Sequence, residues 1–237
     1  KYTKNISSTI IKNKISEIGT SPQNRVSRLK RLISSKKIVR ILESHNPLTG
    51  LIIESLKINK NKQPLEFDGM WSSSLTDSAS RGLPDNSSLS FSSRISSLND
   101  MMDVTTKPIV FDADNGGQIE HLPFLIRSLE RSGVSSIIME DKIGVKKNSL
   151  FKNQSDTLQD KPKIFAKKIK KICKVRNSND FMVIARIESF ILGKGLKDAL
   201  NRAITYSKAG ADGILIHSKE KTPSEIFSFA KRFRKSK

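Results

Sequence analysis

The sequence predicts an α/β protein whose parallel strands curl into a TIM-type (β/α) barrel. Short apolar runs alternate with helix-length amphipathic segments, the pattern of strand-helix-strand crossovers. Acidic residues recur at the carboxyl ends of these runs, at Asp112, Glu140 and Glu188, the end at which such barrels carry their sites. Six strands are legible, so the barrel is expected to be cut after its sixth strand-helix unit, with edges left open.

Taken in order, residues 1–24 are polar, basic and without sustained periodicity apart from Ile6, Ile10, Ile11 and Ile15. They predict a flexible or partly helical arm ahead of one domain over residues 25–237. A helix over Val26–Ser35, a strand over Ile38–Glu43 and a helix over Leu48–Lys57 follow. The polar insertion Asn59–Pro64 predicts a surface loop before the strand Phe67–Trp71. A helix over Phe91–Asp103 leads into the apolar run Pro108–Asp112, and the amphipathic stretch Ile119–Ser132 connects it to the strand Ser136–Glu140. Helices over Pro162–Val175 and Leu196–Lys208 separate strands ending near Glu188 and His217, and Pro223–Arg232 is the last helix.

Composition bounds the function. At 237 residues there is room for one sizeable α/β domain. The lone Cys173 excludes an internal disulfide and a multi-cysteine zinc site and fits a reducing, cytoplasmic setting. No apolar run approaches the roughly 20 residues of a membrane span. The net charge of +20 would ordinarily suggest nucleic acid, but its distribution argues otherwise. Residues 1–40 hold eleven Lys/Arg against Glu17 alone, whereas residues 66–141 hold twelve acids against five Lys/Arg. The acidic stretch suits a cation, and neither a nucleic-acid nor a membrane partner is expected.

Asp112 and Asp114 are two apart on an apolar run, so on a strand both would face one side, and Glu140 ends the next run. Oxygen donors without a His or Cys cluster favour Mg²⁺, with Mn²⁺ possible, over zinc. By itself Asp114 also reads as a helix cap, Pro84-Asp85-Asn86 as an ordinary turn, and the lysines after Gly144 as a solvated loop.

The motifs Trp71-Ser-Ser-Ser-Leu75, Gly82-Leu-Pro-Asp85, FDADNGG (Phe111–Gly117), EDKIGVKKNSL (Glu140–Leu150), Ile184-Ala-Arg-Ile-Glu188, Gly193-Lys-Gly195 and Ala209–Lys219 occur in this order. Together they resemble the phosphoenolpyruvate mutase family of the isocitrate lyase superfamily, over about Arg25–Arg234. The resemblance implies interconversion of phosphoenolpyruvate and phosphonopyruvate, forming a carbon-phosphorus bond at the start of phosphonate biosynthesis. It implies that Asp112 binds Mg²⁺ directly while Asp114 and Glu140 hold its waters. Asp85 becomes the candidate nucleophile or electrostatic guide for the migrating phosphoryl group. Lys146 and Asn148, on a gating loop over Gly144–Ser149, would reach that group, with Arg186 and His217 as further donors to the small anionic substrate. Glu188 shares Arg186's strand face, and Trp71 with the N–H groups of Ser73, Ser74 and Leu75 would hold the substrate carboxylate.

Isocitrate lyases use a cysteine-bearing loop, whereas the equivalent segment here is Lys146-Lys-Asn-Ser149. Three readings stay beside the mutase: a phosphonopyruvate hydrolase, another superfamily lyase, and a non-catalytic subunit whose barrel does not close. Family members form homodimers or homotetramers partly through a last helix that six units would not include.

Overall fold

The helix Pro22–Ser35 (α1) opens with proline in its first turn, where a missing N–H costs nothing. After β1 (Ile41–Glu43), Asn46 and Thr49 form a reciprocal capping box that starts α2 (Pro47–Ser55). An antiparallel pair, β2 (Lys57–Lys60) and β3 (Gln63–Glu66), precedes β4 (Gly69–Ser72), α3 (Ser74–Ala79) and α4 (Phe91–Val104). Next come β5 (Ile109–Asp112), α5 (Leu122–Ser132), β6 (Ser136–Glu140) and the short antiparallel pair β7 (Lys142–Ile143) and β8 (Leu158–Gln159). The chain continues through α6 (Pro162–Val175), β9 (Met182–Ile187), α7 (Gly195–Lys208), β10 (Gly213–Ile216) and α8 (Ser224–Lys235). This computed structural model describes residues 21–60, 63–144, 146–150 and 158–235.

The main sheet has six parallel strands in the order β1-β4-β5-β6-β9-β10, so each lies beside the next strand of this sheet to occur in the chain. Crossovers between successive parallel neighbours build a barrel wall, and among the described residues β1 and β10 remain its two open edges. Alternation sorts the strands' side chains into two layers. Met70, Ile109, Phe111, Ile137, Met139, Val183, Ala185 and Ile187 pack outward against the helices in the large core. The opposite parity, Ile41, Trp71, Val110, Ile138, Met182, Ile184 and Leu215, forms a smaller cluster on the concave face, joined by Leu29 of α1. That helix closes the amino-terminal end of the barrel: Arg25 and Arg28 donate to the Thr105 and Thr106 carbonyls, and Lys30 to that of Asn179.

Several boundaries differ from expectation. Asn59–Pro64 is not a plain loop, since Lys57–Lys60 and Gln63–Glu66 pair with Ile58 opposite Leu65. Its Lys/Asn content masked a two-residue alternation. The helix α1 begins at Pro22 rather than Val26 and so takes in the end of the arm proposed for residues 1–24, the rest of which, residues 1–20, lies outside the described residues. Asp114 does not share a strand face with Asp112, because β5 ends at Asp112 and Asp114 turns away with φ of 50°. It still reaches the same end of the sheet, since its carbonyl accepts the Glu140 N–H at 2.7 Å. Gly116 in this turn has φ of 78°, and a Cβ there would meet Met139 Sδ at 2.5 Å, so the FDADNGG turn can pack on β6 only with glycine. Helix α5 starts at Leu122 behind His121, which removes the capping role for Asp114.

Candidate active site

The register carries the concave parity straight to the carboxyl-terminal rim. Trp71 stands beside Val110, Glu140 beside Arg186, and Arg186 beside Leu215, so Ser73, Asp112, Glu140, Arg186 and His217 emerge on one side. There they line a cleft together with Trp71, Ser74, Leu75, Asp85, Lys146 and Asn148. Its volume of about 140 Å³ is below the roughly 300–1,000 Å³ of a drug-sized pocket and suits a small ligand. Asp114 and Glu188 are not part of the lining. Asp114 stands behind Lys146, and Glu188 is wholly buried beneath Arg186 and His217, because β9 has ended and the chain turns inward.

Three acids meet at this rim. Asp112 Oδ1 accepts the Asp114 N–H at 3.0 Å and Oδ2 accepts Ser74 Oγ at 3.2 Å. Burial opposes ionisation of Asp112, but Arg186 and Lys146 outweigh it and hold the carboxyl below its usual range. Glu140 faces Arg186 at 3.2 Å and Lys142 at 3.5 Å, yet burial pushes its carboxyl up to about 7. Among the described residues no three His, Cys, Asp or Glu side chains stand close enough to ligate one ion together. A Mg²⁺ ion that keeps several waters needs only one or two protein carboxylates. The all-oxygen donor set around Asp112 fits that arrangement.

Opposite the acids lies the segment after Gly144. Lys146 reaches Asp85 at 2.6 Å and also touches Asp114 and Ser74. Burial disfavours its charge, but Asp114 and Asp112 more than compensate and raise the ammonium above its ordinary value. Asn148 accepts the Leu150 N–H through Oδ1 at 2.9 Å while lining the cleft. Arg186 also pairs with Glu188, and its guanidinium is raised further still by Glu140 and Glu188 despite burial. His217 Nδ1 lies 2.9 Å from Glu188 and 3.0 Å from Arg186; the ring tautomer decides which it engages. Burial would raise Glu188, but His217 and Arg186 draw it down to about 2.

Trp71 and Ser73–Leu75 form the remaining wall. Ser73 is the N-cap of α3, so Ser74 and Leu75 occupy its first turn, where backbone N–H groups have no intrahelical acceptor. The Trp71 indole nitrogen is likewise buried without a partner.

Residues not assigned to the site by the sequence reading hold this rim together. Arg94 from α4, 1% exposed, sends Nε to Asp77 at 3.0 Å, one guanidinium nitrogen to the Ser72 carbonyl at 3.1 Å and the other to the Asp112 carbonyl, with its plane 4.3 Å above the Phe111 ring. Asp141 accepts the Glu188 N–H at 3.1 Å, Tyr206 OH at 2.7 Å and Arg202 at 3.1 Å, which joins the ends of β6 and β9 to α7. Lys147, Ser149 and Leu150, which the sequence reading does not assign to the site, also line the cleft. Asp141 was in view in the EDKIGV motif, but nothing in its type separates a strut from a ligand.

Comparison with known proteins agrees with this geometry. The family model described as phosphoenolpyruvate phosphomutase matches residues 29–236. A phosphoenolpyruvate phosphomutase of Tetrahymena pyriformis is 38% identical over 217 residues, covering 90% of this chain and 68% of its own. In fold, the crystal structure of phosphoenolpyruvate phosphomutase from Streptomyces platensis subsp. rosaceus superposes with a TM-score of 0.80 at 33% identity, covering 88% of this chain and 69% of that one. A phosphonopyruvate hydrolase solved with oxalate and Mg²⁺ gives a TM-score of 0.73 at 30% identity, covering 90% and 68%. With a parallel barrel wall, acids and loop converging on one rim, and a family model spanning most of its length, the chain belongs to the phosphoenolpyruvate phosphomutase family.

Proposed function

We propose that this chain forms the catalytic part of a Mg²⁺-dependent phosphoenolpyruvate mutase. The observation that supports it most is the convergence of Asp85, Lys146 and Asn148 on the one cleft that also contains Asp112 and Glu140. Asp112 would hold the ion, with Asp114 and Glu140 on its waters, and the ion would supply positive charge to the pyruvyl oxygens. The N–H groups at the start of α3 would take the substrate carboxylate. Arg186 presents a forked donor set for the phosphoryl oxygens, and His217 adds a second donor.

As the carbon-phosphorus bond of phosphonopyruvate breaks, the phosphoryl group passes before Asp85, and a bond to the enolate oxygen of the same molecule completes the isomerisation. Asp85 either receives the group as an acyl phosphate or guides a metaphosphate-like species. Lys146, already on Asp85, balances the negative charge gathered there. No water takes part, so Lys146–Leu150 must keep solvent from the group in flight. The reaction would open phosphonate biosynthesis in a reducing compartment such as the cytoplasm, and no helix among the described residues is long and apolar enough to cross a membrane.

Phosphorus NMR of phosphonopyruvate with the protein and Mg²⁺ is the direct test. The expected product is phosphoenolpyruvate with little inorganic phosphate. Dominant phosphate and pyruvate would assign the chain to hydrolysis instead.

A further inference from the structure

We propose that Lys142 is a positioning residue that latches the segment Lys146–Leu150 over the cleft; the proposal rests on the mutase reading above. Lys142 follows Glu140-Asp141 on β7 and is 4% exposed, an unusual state for a lysine. It does not line the cleft, so it touches no substrate there. Its ammonium donates to the Lys147 carbonyl at 2.8 Å and to Ser149 Oγ at 2.7 Å, and faces Glu140 Oε1 at 3.5 Å. Two of its three partners therefore belong to the loop, one on each side of Asn148.

Ser149 Oγ is the second half of the device. It accepts from Lys142 and from Arg186 at 3.1 Å and donates to Glu188 Oε2 at 2.7 Å. A hydroxyl has one proton and two lone pairs, and all are used. The loop is thus tied from below to both the metal-side acid Glu140 and the anion-binding Arg186. A buried ammonium needs partners, and only the seated loop supplies two of them. Seating the loop and burying the Lys142 charge are one event, and it sets where the Lys146 and Asn148 side chains stand.

Hydrogen exchange of the full chain with oxalate and Mg²⁺, paired with phosphonopyruvate turnover, tests this in Lys142→Met, Lys142→Arg and Ser149→Ala. For Lys142→Met, amides of residues 146–150 should exchange about tenfold faster or more while those of β6 and β9 keep their wild-type rates. Its kcat should fall about tenfold or more at nearly unchanged KM, with a larger share of phosphate and pyruvate, and Lys142→Arg should recover part of each effect. Unchanged exchange at 146–150, or equal acceleration in β6 and β9, would overturn the latch. Should Lys142→Met not fold, Ser149→Ala decides, because it removes the three hydroxyl bonds while Lys142, Arg186 and Glu188 each keep other partners: faster exchange at 146–150 supports the proposal and wild-type rates refute it. Wild-type protein that leaves phosphonopyruvate unconverted would remove the mutase reading, and the exchange comparison would still judge the latch.

Discussion

Asp112→Ala is expected to lower kcat/KM for phosphonopyruvate by about 10³-fold or more, the scale of losing a metal-held charge at the reacting centre. Asp112 is the one carboxylate that ends a strand, lines the cleft and is held below its usual pKa range by Arg186 and Lys146. Asp112→Asn should behave alike while keeping an oxygen for the Asp114 N–H and turning an amide NH2 toward the Ser74 hydroxyl, which separates charge from most of the support. Asp103→Ala, on an exposed position of α4, should stay close to wild type. A Mg²⁺ titration in which Asp112→Ala and Asp103→Ala gave the same activation constant would remove Asp112 from the metal.

Arg94→Leu is expected to cost about 3–5 kcal/mol of stability, because it takes the buried guanidinium donor from Asp77 Oδ2, leaving that carboxylate to Arg81, and from the Ser72 and Asp112 carbonyls. That is a large part of the roughly 5–15 kcal/mol that keeps a domain folded. Arg94→Lys should recover little of it, since one ammonium cannot reproduce a planar fork that serves Asp77, Ser72 and Asp112 while lying on Phe111. Urea unfolding monitored by circular dichroism measures the difference. A midpoint for Arg94→Leu close to wild type would show that these contacts contribute little.

Asp112 and Glu140 were legible because each closes an apolar strand on the concave parity and so emerges at the rim, whereas Glu188, one residue past β9, turned inward. The barrel wall was legible for a related reason, since Ile109–Phe111, Ser136–Met139 and Met182–Ile187 are nearly unbroken apolar runs, as strands covered on both faces require. Arg94 was not, because a single arginine in the Ser-rich segment Phe91–Val104 looks like any solvated helix residue until the fold turns it inward. Lys142 and Ser149 were hidden similarly: in the string EDKIGVKKNSL nothing distinguishes the buried lysine from its neighbours. The pair β7 and β8 has two residues in each strand, too few for any periodicity, and the sequence places fourteen residues between Ile143 and Leu158. Asp114 was placed at the right rim by the wrong geometry, since alternation on a strand was assumed where a left-handed turn supplies the reach.

The pairing of each main-sheet strand with the next one that the chain adds to that sheet sets an order of birth. During synthesis β5 can dock on β4, and β6 on β5, before β9 has been made, because no early strand waits for a late one to sit between its neighbours. The rim matures in the same order, with Trp71 first, then Asp112, Glu140, Arg186 and finally His217. For most of that time the acids face water without Arg186 beside them, so the growing wall is stable only as far as its apolar layers reach. Ribosome-held chains released from the exit tunnel through α6 should already protect the amides of β5 and β6 from exchange. Chains that show no protection until β10 has emerged would mean that the wall closes in a single late step.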